Sequence, residues 1–180
     1  EAVVMTAGGV TYPTVQIGTQ IWTASNVSIV PTGFNEGADG NPGEYYTYYF
    51  GGGGTAADED GYYYTWAAAL NVCPAGWRLP SDQDWQDLEQ ELGMPENTLT
   101  RDGYYDSWSA YTGVGTQLLA GGTSGFNAKF AGQPQGKRGD YAYFWSSTDT
   151  YHRVLRHTDG SIRRAKHSWN SMSVRCLKNN

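Results

Sequence analysis

Aliphatic side chains are scarce in this 180-residue chain: Leu, Ile, Val and Phe together number 28. So few core formers would ordinarily mark a disordered chain. Charged residues are also few, at 17%, and Trp, Tyr and Phe number 7, 14 and 5, so that class is excluded. Each buried aromatic removes about 150–250 Å² from water, and the core is expected to be built from rings. No apolar run approaches the roughly 20 residues that cross a membrane, so direct membrane insertion is excluded. No Gly-Lys-Ser/Thr follows the glycines at 51–54, which excludes a phosphate loop there. No secretory leader is visible, and a chain opening on Glu1 reads as a mature or trimmed product. There is no internal repeat, and the length suits one domain over residues 1–180.

What is present is unevenly distributed. Residues 1–150 carry 5 basic and 17 acidic side chains, whereas residues 151–180 carry 7 basic and 1 acidic. The three histidines, His152, His157 and His167, also fall in the second stretch. Three readings fit: a nucleic-acid tail, internal charge balance, or a ligand-facing surface. The apolar residues Val154, Leu155, Ile162, Trp169, Val174 and Cys176 are interleaved with the charges, so the segment is expected to fold rather than to be a disordered tail. It carries no helical or RNA-binding motif, and nucleic acid is not the expected partner.

Local pattern places the elements. Val10 and Tyr12, then Val15 and Ile17, alternate as short strands, with a turn at Gly18-Thr19 before Gln20-Ile21-Trp22. Residues 31–61 read as a long Gly-, Pro- and Tyr-rich loop with a short strand at 45–50. Tyr45, Tyr46, Tyr48 and Tyr49 are either a second contact site or core. Tyr63, Trp66, Ala67 and Leu70 fit a short helix over 62–70. Ser81 with Asp84 caps a second helix, whose apolar stripe is Trp85, Leu88 and Leu92 and whose stop is Gly93. Its acids Asp82, Asp87, Glu89 and Glu91 are expected to be a solvated face rather than a metal or catalytic cluster. A helical turn is expected at 114–119, strands at 126–130, 141–146 and 173–177, and a hairpin of 153–157 with 161–166 about Thr158-Asp159-Gly160. Helices early and strands late make the class α+β.

Cys73 and Cys176 lie too far apart for paired zinc ligands. A disulfide fits better and implies an oxidising compartment; two buried free thiols are the alternative.

Five segments in order carry a resemblance: Thr14-Val15-Gln16-Ile17-Gly18-Thr19-Gln20-Ile21-Trp22; Cys73-Pro74-Ala75-Gly76-Trp77-Arg78-Leu79-Pro80-Ser81 with Asp84-Trp85; Gly125-Phe126; Phe144-Trp145-Ser146-Ser147-Thr148-Asp149; and Ser173-Val174-Arg175-Cys176. Together they resemble the Fibrobacter succinogenes major paralogous domain family, over about residues 8–178. That resemblance implies a C-type lectin-like fold of the formylglycine-generating-enzyme-like branch, with two short helices packed on a small twisted antiparallel sheet with long loops. It also implies that Cys73 pairs with Cys176. Trp77, Trp85 and Trp145 read as scaffold.

The similar formylglycine-generating enzymes use reactive cysteines near the C-terminus, where this chain has only Cys176, so no catalytic residues are assigned and an enzyme is not expected. Calcium-dependent lectins rely on Trp-Asn-Asp-type motifs, and Trp169-Asn170-Ser171 lacks the acid. No cofactor is expected, beyond room for a structural calcium near Asp58 and Asp60; the metal question stays open. Between Trp145 and Ser173 the chain is rich in residues found at interface hot spots. Tyr141, Tyr143, Tyr151, His152, Arg153, Arg156, His157, Arg163, Arg164, Lys166, His167, Trp169 and Asn170 are the expected ligand-binding set. Alternation puts Arg153 and Leu155 on one strand face and His152, Val154 and Arg156 on the other, without deciding which is outward. This arrangement resembles the variable proteins of diversity-generating retroelements, which display a hypervariable patch on a C-type lectin fold. The expected function is a binding module at the cell surface, secreted or phage-borne, with a protein or anionic-glycan ligand on another cell or surface and salt-sensitive association. The alternative is a fixed-specificity adhesin or lectin-like domain.

Overall fold

The computed structural model describes residues 2–37, 43–47, 60–102, 112–167 and 170–180. Short hairpins open the chain. Strand β1 (Met5–Ala7) pairs antiparallel with β2 (Val10–Tyr12), and β3 (Thr14–Ile17) with β4 (Gln20–Thr23). Strand β5 (Tyr45–Tyr46) pairs with β6 (Tyr63–Tyr64), which leads into helix α1 (Trp66–Ala69). Strand β7 (Trp77–Arg78), helix α2 (Asp82–Glu91), a 3-10 turn (Glu96–Thr98) and helix α3 (Thr112–Leu118) follow. Strands β8 (Tyr141–Trp145), β9 (His152–Arg156), β10 (Ile162–Ala165) and β11 (Leu177–Lys178) complete the chain. The larger sheets run β3-β4-β11-β7 and β10-β9-β8, and every strand pair among the described residues is antiparallel. The class is α+β, with few helices and small antiparallel sheets.

The core is made of rings, as the composition requires. Trp22 lies 4.8 Å from Trp85 and 5.7 Å from Phe126, and Phe126 meets Phe144 edge-on at 5.6 Å. Leu88, Leu118, Leu155, Ile162 and Leu177 fill in around them. A second cluster gathers Met5, Tyr12, Tyr64, Trp145, Met172, Val174 and Cys176. Trp145 joins the two. Its indole N–H donates to the Tyr64 carbonyl at 2.7 Å, and its own carbonyl accepts from the Trp85 indole at 3.3 Å.

Arg175 is fully buried. Its guanidinium stacks 4.4 Å over Phe126 and donates to the carbonyls of Thr23, Phe126 and Asn127 and to Asn26 Oδ1. Burial pulls its pKa down to about 9. Cys73 and Cys176 form a disulfide, with Cα atoms 5.8 Å apart and no cysteine left free.

Several elements differ from expectation. Over residues 62–70 only Trp66–Ala69 is helical; Tyr63 and Tyr64 are extended and buried against β5, and Thr65 caps the helix after them. Tyr45 and Tyr46 are core residues, and the rest of the expected strand at 45–50, with Tyr48 and Tyr49, lies outside the described residues, as do the glycines at 51–54. Residues 126–130 form no strand. Asn127 is left-handed (φ 58°), which breaks the alternation, and Ala128 makes a single bridge to Leu119. In place of a strand over 173–177, only Leu177–Lys178 forms one. Ser173 bridges Phe144, and Cys176 exchanges bonds with Thr23.

Candidate functional site: a basic hairpin clamped to an acidic helix

Helix α2 begins as its sequence directs. The Ser81 hydroxyl accepts from the Asp84 N–H at 3.0 Å, and Asp84 accepts from the Ser81 N–H at 2.8 Å, a closed capping box. Asp84 also takes two bonds from Arg78, and these with the cap outweigh burial and hold its carboxyl below the usual range. Strands β9 and β10 form the expected hairpin around Asp159 and Gly160, with Leu155 opposite Ile162 and Arg153 opposite Arg164. Gly160 is left-handed (φ 66°). Gly115 of α3 approaches so closely that a Cβ on it would sit 1.7 Å from the Gly160 carbonyl oxygen. Glycine is required there for the helix to reach the hairpin tip.

Strand β9 is buried on both faces from His152 to Leu155, and the structure decides which of them meets α2. Ala142, Phe144, Arg153, Leu155, Ile162 and Arg164 share the face turned to α2 and the ring core. Asp82 and Glu89 of α2 are therefore not a solvated face: they are 4% and 2% exposed. Arg153, fully buried, donates to Asp82 Oδ1 at 2.7 Å and twice to Glu89 Oε1 at 2.8 and 2.9 Å. Arg164 reaches Asp82 with Nε and Nη2 at 2.8–3.0 Å, and bonds Asp102 and the Thr100 carbonyl with Nη1. Gln86 completes the Asp82 shell at 2.7 Å. Burial pushes the Asp82 carboxyl up, but Arg164 and Arg153 together outweigh it and hold it below the usual range. Glu89 is more deeply buried, and there burial wins over Arg153, so its carboxyl is raised. Asp87 and Glu91 are the acids of the helix that do face solvent.

The other expected ligand residues fall into three groups. His152 is buried at 5% exposure, against Trp145, and with Arg153 lies inside the molecule, so these two do not contribute an accessible surface. Tyr141, Tyr143, Tyr151, Arg156, Arg163, Arg164 and Lys166 are half-buried. Tyr141 and Tyr143 lie 6.0 Å apart on the face of β8 turned away from α2, where Tyr143 packs against the second core cluster beside Trp145. Tyr151 lies under the Arg164 guanidinium at 3.9 Å and the Lys166 ammonium at 5.1 Å. His157, His167 and Asn170 are exposed, and Asn170 bonds Gln133 at 3.2 Å. Trp169 lies outside the described residues.

Much of the local positive charge is met internally. Arg156 pairs with Asp159, whose carboxyl is held far below its usual range chiefly by that guanidinium, and Lys166 pairs with Asp149 at 2.7 Å. Sequence reasoning missed the acidic partners because Asp82 and Glu89 lie 71 and 64 positions from Arg153. The available signal was the matching excess of acid on α2 and base on the hairpin. Of the calcium pair, Asp58 lies outside the described residues. Asp60 is fully buried with its carboxylate facing Arg138 and Lys129, an environment that repels a cation.

A family model, the Fibrobacter succinogenes major domain, matches residues 15–178, and the chain belongs to this family. A comparison with curated proteins and one with solved structures each found no match. Among the described residues no helix is long and apolar enough to cross a membrane.

Proposed function

We propose that this domain is a ligand-binding module with a C-type lectin-like fold, and that its contact surface is the solvent side of residues 141–170. The observation that carries the reading is the way the hairpin is held. Arg153 and Arg164 bind it to α2 from within, so Arg156, His157, Lys166, His167 and Asn170 are displayed on a pre-ordered support. A surface that need not be ordered on binding saves conformational entropy. Surface ion pairs such as Lys166–Asp149 are weak in water and remain exchangeable for a ligand's charge. The ligand class is a protein or an anionic glycan on another cell or surface. The setting is extracellular or at the cell surface, phage-borne in one version, with which a disulfide is compatible. A formylglycine-generating type of chemistry is disfavoured because both cysteines are consumed in the disulfide.

The finer reading is a variable protein of a diversity-generating retroelement. Deep sequencing of the gene across one clonal population tests it. Substitutions should concentrate at exposed positions within 141–170 while Trp145, Arg153, Arg164 and residues 173–176 stay fixed. Invariance throughout would leave a fixed-specificity adhesin or lectin-like domain. Binding to protein and glycan arrays at low and high salt then tests the module itself. No ligand on either array, with the domain folded, would count against it.

A further inference from the structure

His152 is a buried titratable group that the ligand reading does not use. It opens β9, directly opposite Trp145 on β8 and Ala165 on β10. Its ring meets the Trp145 indole edge-on at 5.6 Å. Nδ1 lies 3.2 Å from the Thr150 carbonyl, which can only accept, so Nδ1 carries the hydrogen and Nε2 is the basic nitrogen. The charges acting on the ring are Arg163 on β10 and Arg153, its neighbour in β9. The nearby acids are engaged elsewhere. Asp149 on the preceding loop is held by Lys166, and Asp82 and Glu89 sit with Arg153 on the opposite face of the strand. His167 touches the same loop through its backbone N–H, 3.4 Å from Thr150 Oγ1, and its charge acts on Asp149 rather than on the His152 ring. A proton added at Nε2 would thus be enclosed beside two guanidiniums with no carboxylate to answer it.

The loop this ring supports is under tension. Asp149 and Thr150 have φ of 33° and 61°, and a β-branched residue in that region persists only where its surroundings impose it. The Trp66 indole N–H donated to the Ser146 carbonyl at 2.9 Å and the Lys166–Asp149 pair are two such impositions, and hydrogen bonds of the loop's own backbone and side chains are the others. Ser146 N–H donates to the Tyr151 carbonyl, Tyr151 N–H to Thr148, Ser147 N–H to Pro80, and the Asp82 N–H to Thr148 Oγ1.

We propose that the Trp145–His152 corner is a proton-operated joint, in which protonation of the His152 ring releases loop 146–151 from the sheet and from the start of α2. Burial first, with Arg163 and Arg153 behind it, outweighs the bond to the Thr150 carbonyl, which favours the charged ring, and holds this imidazole at about 4, against 6.5 for a free one. A histidine whose pKa is depressed in the closed form contributes its full closing free energy above pH 6.5 and loses it as pH falls toward 4. From pH 7 to pH 5 the open fraction should rise about twentyfold.

Native-state hydrogen exchange on the intact chain, corrected for intrinsic rates, tests this at the Ser146 and Tyr151 amides with the Leu88 amide as reference. The expected result is a fall in protection of about twentyfold at the first two between pH 7 and 5, with Leu88 unchanged. Unchanged protection overturns the proposal, and so does an equal fall at all three, which is global unfolding. In His152→Gln the pH dependence at Ser146 and Tyr151 should vanish; its persistence overturns the proposal. Should that variant not fold, an NMR titration of the wild-type ring decides. His152 must titrate well below 6.5, and an ordinary midpoint overturns the proposal.

Discussion

A guanidinium inside a protein needs acceptors around its fork of N–H groups, and Arg153 and Arg175 find theirs in opposite ways. Arg153 faces two carboxylates, whereas Arg175 faces carbonyls, one amide oxygen and two phenyl rings. Replacing Arg153 with Met leaves Glu89 and half of the Asp82 shell buried without a cation, which is expected to cost about 3–5 kcal/mol in urea unfolding. Combining it with Glu89→Leu should cost less than the sum of the single changes, because the stranded charge is removed too. Arg175→Met strands several buried acceptors and is expected to cost about 3 kcal/mol or more by the same measurement. Arg175→Lys should recover little, since an ammonium on a straight stem cannot reach Thr23, Phe126, Asn127 and Asn26 together.

Elements differ in how far their own residues announce them. Helix α2 is announced by Ser81, Asp84 and Gly93, signals that act within one turn of chain, and its start and stop are read from them. The β9–β10 hairpin is announced by Thr158-Asp159-Gly160 in the same way. Tyr63 and Tyr64 carry no such signal: their spacing to Trp66 and Leu70 suits a helix, yet pairing with Tyr45 and Tyr46, distant in sequence, makes them a strand. The burial of Asp82 and Glu89 was unreadable for the same reason, since a charged residue looks solvated until its remote partner is known. Packing between elements can be probed directly. Gly115→Ala drives a methyl into the Gly160 carbonyl and is expected to destabilise by about 1–3 kcal/mol, with NMR shift changes confined to α3 and the hairpin tip.

For the whole molecule, the bond between Cys73 and Cys176 closes a loop spanning 103 positions. In the chain-entropy account such a loop is worth up to about 4.7 kcal/mol, and reduction with dithiothreitol should lower the urea midpoint accordingly. An unchanged midpoint would mean that the reduced unfolded chain is already compact. The same terminal region shapes how the domain comes into being. Strand β11 is flanked by β4 on one side and β7 on the other, and neither of those pairs with the other. The larger sheet is like an arch whose keystone is laid at residues 177–178. Until that strand docks, β4 and β7 have no hydrogen-bonded neighbour in common, so the sheet closes only when the two most distant parts of the described chain meet, and the slow step of folding is expected to lie there.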